Sequence, residues 1–271
     1  MIDDPSGRID YDESGAGPTV VLVPGSCATG AAWRPMIQAW GGKLRCVTTS
    51  LPGYGGTAER RTASDVSIAH AAGAVEAVIR RTGGPAHLVG HSYGGLVAVA
   101  VALRSAVPLA SLAVLEAPAM ELLRERADDA EHYRAFRAMN ETYFAAFARG
   151  EEEAVAQMID FYGGAGTYAS WPDRVRAYAL ETTAVNILDW QTAYAFPLTA
   201  AVLSAIDIPT LVLWGGASHP AAQRANARLG QSIPGAATAA VDGAAHFMIA
   251  THAGEVARRV AAHIQGCPIK R

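Results

Sequence analysis

Apolar residues in this chain gather in short runs with few polar interruptions. Thr19-Val20-Val21-Leu22-Val23 stops at Pro24-Gly25, and Leu44–Thr49, Ala86–Val89, Leu109–Leu115, Ile208–Trp214 and Thr238–Val241 follow the same form. Runs that are apolar at nearly every position, rather than at every second one, suit strands buried on both faces of a parallel sheet. Arg8–Glu13 reads as an early strand ahead of the turn Ser14-Gly15-Ala16-Gly17-Pro18. Helical segments separate the runs: Trp33–Trp40, Leu96–Leu103, Pro220–Leu229 and Glu255–Gln265. Another is capped by Ser64 or Asp65 and runs to about Arg81, with Val66, Ala69, Gly73, Ala77 and Val78 on one face. Strands alternating with helices predict an α/β fold, a doubly wound, mostly parallel central sheet with helices on both faces.

Met120–Leu203 breaks this alternation. It is helix-rich, and 13 of the 20 Trp, Tyr and Phe residues lie between Tyr133 and Phe196. We expect a helical cap, or lid, over residues 119–205, inserted in a core formed by residues 1–118 and 206–271. Met120, Phe136, Tyr143, Phe144, Phe161, Trp190 and Tyr194 are the candidate lining of an apolar pocket beneath it. Gly163-Gly164-Ala165-Gly166 lacks the Lys-Ser/Thr and the preceding strand of a phosphate loop.

Composition narrows the function. With 271 residues, 51% of them hydrophobic, the chain can bury one large core. A net charge of −3 gives no electrostatic case for nucleic acid. Cys27, Cys46 and Cys267 are scattered and odd in number, which fits a reducing compartment and implies neither a disulfide framework nor a metal cluster. The acidic start MIDDPSGRID is unlike a signal peptide, and no run of about 18 apolar residues occurs. The expectation is a cytoplasmic monomer or homodimer acting on a small molecule, with no membrane partner, metal or cofactor.

The chemistry concentrates at Ala86–Arg104, where a strand, the turn Gly90-His91-Ser92-Tyr93-Gly94-Gly95 and a helix follow one another. That is the setting of a G-x-S-x-G elbow: the serine stands on a sharp turn, and glycines two residues to either side avoid collision with strand and helix. On these residues the chain resembles the α/β-hydrolase superfamily. The resemblance implies that Ser92 is a nucleophile and that its general base follows the last strand, where Ala245-His246 stands in place of the usual Gly-His. His91 is then structural support, and Cys27 a packing thiol. The oxyanion donors implied are the N–H groups of Ser26, after the first core strand, and Tyr93, at the helix start.

The acid departs from the common pattern. In most relatives it lies three residues after the glycine that follows the Trp214 strand, and Ser218 occupies that place. A smaller group carries it one strand earlier, where Glu116 ends an apolar strand. Glu116 is therefore the candidate acid and Asp242 the alternative, while a Glu116 pair with a cap arginine such as Arg124 is the non-catalytic reading. The whole implies a cofactor-independent serine hydrolase acting on an apolar or aromatic ester through Ser92, His246 and Glu116. C–C bond hydrolysis, thioester cleavage and lactone opening use the same residue types. A non-catalytic binding protein on this scaffold is a further alternative. Serine at position 92 disfavours epoxide hydrolases and haloalkane dehalogenases, whose elbow nucleophile is aspartate.

Overall fold

The computed structural model describes residues 1–4 and 7–267. Its strands are β1 (Ile2–Asp4), β2 (Gly7–Ile9), β3 (Asp12–Ser14), β4 (Thr19–Val23), β5 (Arg45–Thr48), β6 (Ala86–His91), β7 (Leu109–Leu115), β8 (Thr210–Gly215) and β9 (Ala237–Val241). β1 and β2 form a small hairpin, and the other seven form one sheet in the order β3-β5-β4-β6-β7-β8-β9. Within it β3 alone is antiparallel. The early strand expected over Arg8–Glu13 is thus two strands, broken at Asp10-Tyr11. β3 is fully exposed, and its Asp12 and Glu13 place charge on the sheet edge, which discourages pairing with another chain.

Around the sheet run α1 (Arg34–Trp40), α2 (Ala69–Thr82), α3 (Tyr93–Arg104), α4 (Ala130–Ala148), α5 (Val155–Gly163), α6 (Thr167–Ser170), α7 (Asp173–Glu181), α8 (Thr183–Ala195), α9 (Ala200–Leu203), α10 (Pro220–Ser232), α11 (Met248–Thr251) and α12 (Ala253–Gln265). Side chains alternate across β4: Val20 and Leu22 join the core under α1, α11 and α12, whereas Val21 and Val23 join the core shared by α2, α3, α10 and the cap. Burying both faces is what the apolar runs require. Between β7 and β8 the described chain forms two 3-10 helices, Met120–Glu125 and Ala127–Asp129, and then α4 to α9, the stretch expected to be a cap.

The α2 helix starts later than its sequence suggests. Asp65 bonds the Ser67 amide and the His70 ring, and Ser67 Oγ accepts from Ala69 N, so the helix begins at Ala69. Ala77 and Val78 of the expected face are buried, but the buried side is broader and also takes in Ala71, Ala72, Ala74, Val75 and Ile79, while Ala69 and Gly73 are only half-buried. Among the described residues, no helix is long and apolar enough to cross a membrane.

Candidate active site

The sharp turn after β6 is built by its glycines. A Cβ on Gly90 would run into the Gly94 carbonyl, and one on Gly94 into the Pro24 carbonyl. A Cβ on Gly25 would come within 2.8 Å of Ser92 Cβ, so the loop after β4 lies directly against the serine. Ser92 sits at φ 53° and ψ −128°, a conformation L residues rarely adopt, and its amide donates to Leu115 O at 2.9 Å. α3 starts at the next residue, so the Tyr93 amide belongs to a first turn that has no intrahelical acceptor.

His246 and Glu116 meet at the same rim. His246 Nδ1 is 2.8 Å from Glu116 Oε1, and both side chains are buried. The other carboxylate oxygen, Oε2, accepts from the Gly215 amide and from Ser218 Oγ, each at 2.7 Å. Three donors therefore hold one carboxylate. Glu116 itself has φ 49° and donates its amide to Leu213 O at 2.7 Å. Ser218, at the position where the resemblance implied the more common acid, supplies one of those donors. Asp242 is exposed on the turn after β9, and Arg124 pairs with Glu121 at 2.8 Å rather than with Glu116.

Behind the elbow, His91 Nε2 donates to the His246 carbonyl at 2.9 Å, and the two rings lie 4.8 Å apart. Burial, and then the neighbouring His246, push His91 down to about 3, so it stays neutral and braces the backbone of His246. The Cys27 thiol is pushed up to about 12 by burial and stays protonated.

Of the residues expected to line a pocket, Phe136, Phe161, Trp190 and Tyr194 join a chain of ring contacts that reaches His246 through Tyr162. Tyr143 and Phe144 pair with each other, and the Tyr143 hydroxyl donates to Asn186 Oδ1 at 2.9 Å. Met120 is buried in the core that includes the cap.

Sequence reasoning passed over three residues here. Tyr162 lies 4.3 Å from the His246 ring, and its buried hydroxyl has no hydrogen-bond partner among the described residues. Arg61 and Asp189 form a buried ion pair at 2.6 Å beside the elbow. Burial opposes the charge on Arg61, yet the Glu59 hydrogen bond and the charge of Asp189 hold its pKa above the ordinary arginine value. Burial raises that of Asp189, partly offset by Arg61. The one signal in the sequence was an acid standing alone within the apolar stretch Ile187-Leu188-Asp189-Trp190.

A parallel sheet wrapped on both faces, with a strained serine turn after one strand and a histidine–carboxylate pair at neighbouring strand ends, has the architecture of an α/β hydrolase. The model of the alpha/beta hydrolase family matches residues 20–259, and the chain belongs to that family. It is 39% identical over 93 residues to a pimeloyl-[acyl-carrier protein] methyl ester esterase of Vibrio cholerae, a match covering 34% of each chain. The chain thus spans about a third of that relative's length. Among solved structures it resembles an esterase from Exiguobacterium antarcticum (TM-score 0.76, 16% identity, 97% and 98% of the two chains covered). A thermophilic esterase from Thermogutta terrifontis is comparable (TM-score 0.73, 19% identity, 96% and 93% covered).

Proposed function

We propose that this protein is a cofactor-independent serine hydrolase acting on an apolar or aromatic ester. The observation that carries the reading is the seat of Glu116, whose Oε2 accepts from Gly215 N and Ser218 Oγ while Oε1 faces His246 Nδ1, next to Leu115, whose carbonyl accepts the Ser92 amide. With Nδ1 engaged, Nε2 is the ring nitrogen left to accept a proton. Ser92 Oγ attacks the ester carbonyl while His246 takes its proton, and Glu116 orients the imidazole and balances the imidazolium charge. The Ser26 and Tyr93 amides receive the oxyanion. His246 then protonates the leaving alkoxide, and water attacks the acyl-enzyme by the same route. The aromatic chain from Tyr162 to Tyr194 supports an apolar or aromatic substrate group.

The Ser218 hydrogen bond to Glu116 weakens one of the two supports of the binding-protein alternative, the apparently missing acid; the other, Ala245 in place of the usual glycine before His246, is left to the probe. A fluorophosphonate probe tests the choice: one label per chain, on Ser92, is expected. Ser92→Ala should abolish labelling and lower p-nitrophenyl ester turnover by about 10³-fold or more. Turnover that survives this change overturns the assignment. A panel of ester, thioester, lactone and dienoate substrates separates the chemistries that share these residues.

A further inference from the structure

Taking the Ser26 and Tyr93 amides as the oxyanion donors, on which this inference rests, we propose that Asp189 is the positioning residue of that oxyanion hole, reaching from the cap into the core to fix both donor-bearing segments. Asp189 projects from α8 and is buried. Its Oδ2 accepts from Ser26 Oγ at 2.5 Å and from the Tyr54 hydroxyl at 2.6 Å, and its Oδ1 accepts from Arg61 Nη1 at 2.6 Å. The same Arg61 nitrogen donates to the Tyr93 hydroxyl at 3.1 Å. Both residues whose amides face the developing charge therefore have their side chains tied to one buried ion pair, directly for Ser26 and through Arg61 for Tyr93.

A buried ion pair adds little net stability over apolar packing of the same volume, because desolvation offsets the attraction. What it does supply is direction. The loop it holds needs holding: Cys27, next to Ser26, sits at φ 55°, a strained conformation that persists only where its surroundings over-determine it. The pin comes from the cap, so the hole is complete only while α8 is seated. The cap's other buried carboxylate, Asp129, pairs with Arg224 and Arg228 of α10 at 2.5 and 2.6 Å, and so offers a comparison with no link to the oxyanion loop.

Asp189→Asn and Ser26→Ala are compared with wild type and with Asp129→Asn, using a p-nitrophenyl ester and an aryl boronic acid as the tetrahedral mimic. Oxyanion donors act in the transition state, so kcat should fall by about 10- to 100-fold in both variants with KM within about twofold. Boronic acid affinity should weaken by the same factor as kcat. Combining the two should cost less than the product of the single losses, because both act on the Ser26–Asp189 hydrogen bond. Asp129→Asn should keep its kcat even where its Tm is lower. Unchanged kcat and boronic acid affinity, or an equal kcat loss in Asp129→Asn, overturns the proposal. If Asp189→Asn does not fold, Ser26→Ala decides, because it keeps the amide and deletes only the hydroxyl. Wild type that resists fluorophosphonate overturns the hydrolase reading and this inference with it; labelled wild type with unchanged variants overturns this inference alone.

Discussion

Replacing Glu116 by glutamine preserves shape and removes charge, and its effect can be worked from the contacts. The amide has one carbonyl oxygen. If that oxygen accepts from Gly215 N and Ser218 Oγ, the positions now at 2.7 Å, the NH2 group turns to His246 Nδ1, now at 2.8 Å from the carboxylate. Two donors cannot face each other, so the imidazole must carry its proton on Nε2, the nitrogen that should accept from Ser92. For serine proteases the same kind of tautomer error costs about 10⁴ in kcat, which corresponds to about 5 kcal/mol. Ser218→Ala instead removes one of three donors to the carboxylate and leaves its charge. A hydrogen bond to a charged group is worth about 1.5–3 kcal/mol, and only part of that should reach the transition state, so a loss of about tenfold is expected. The assay is p-nitrophenyl acetate hydrolysis at pH 8, with far-ultraviolet circular dichroism and melting curves to show that each variant is folded. A Glu116→Gln enzyme within tenfold of wild type, or a Ser218→Ala enzyme that loses more, refutes Glu116 as the acid.

Ser92→Gly should be as inactive as Ser92→Ala but more stable by about 1–2 kcal/mol, since glycine adopts φ 53° without strain; urea midpoints that match for the two variants contradict this. Burial holds His91 at about 3 and His87 at about 4 in the folded chain, against about 6.5 when unfolded. The unfolded chain therefore binds more protons between those values. This stability is full above about pH 6.5 and is lost as pH falls towards 4, by at most about 1.4 kcal/mol per pH unit for each histidine. Urea melts at pH 7, 6 and 5 should show the slope, and His91→Gln should make it shallower; a flat wild-type profile refutes the account.

What the sequence revealed of this molecule follows from how far each signal reaches. Strands such as Thr19–Val23 and Leu109–Leu115 announce themselves because parallel burial demands apolar residues at nearly every position. The elbow glycines are legible because collisions two residues away are local. The α2 start lies a few residues later than the pattern suggests because Ser64, Asp65 and Ser67 all favour caps, and in the fold Asp65 and Ser67 turn their side chains to the Ser67 and Ala69 amides ahead of the helix. The hydrogen bond between Ser218 and Glu116 was not legible, because the two come from strand ends 102 residues apart. Arg61 and Asp189 were out of reach: they meet across 128 residues, and nothing local marks either as the partner of the other. Tyr162 lies within the aromatic-rich segment, but which of its many rings would rest on His246 depends on how α5 docks.

The seat shared by Glu116 and Ser218 bears on how such enzymes change. Their side chains come from adjacent strand ends and lie one hydrogen bond, 2.7 Å, apart. A lineage can therefore move its acid between strands without relocating the imidazole. A chain with carboxyl groups at both positions is a workable intermediate, since neighbouring buried acids relieve repulsion by keeping one proton between them. Either one can afterwards become a neutral donor, and a serine in contact with a carboxylate, as Ser218 is with Glu116, is compatible with that end point.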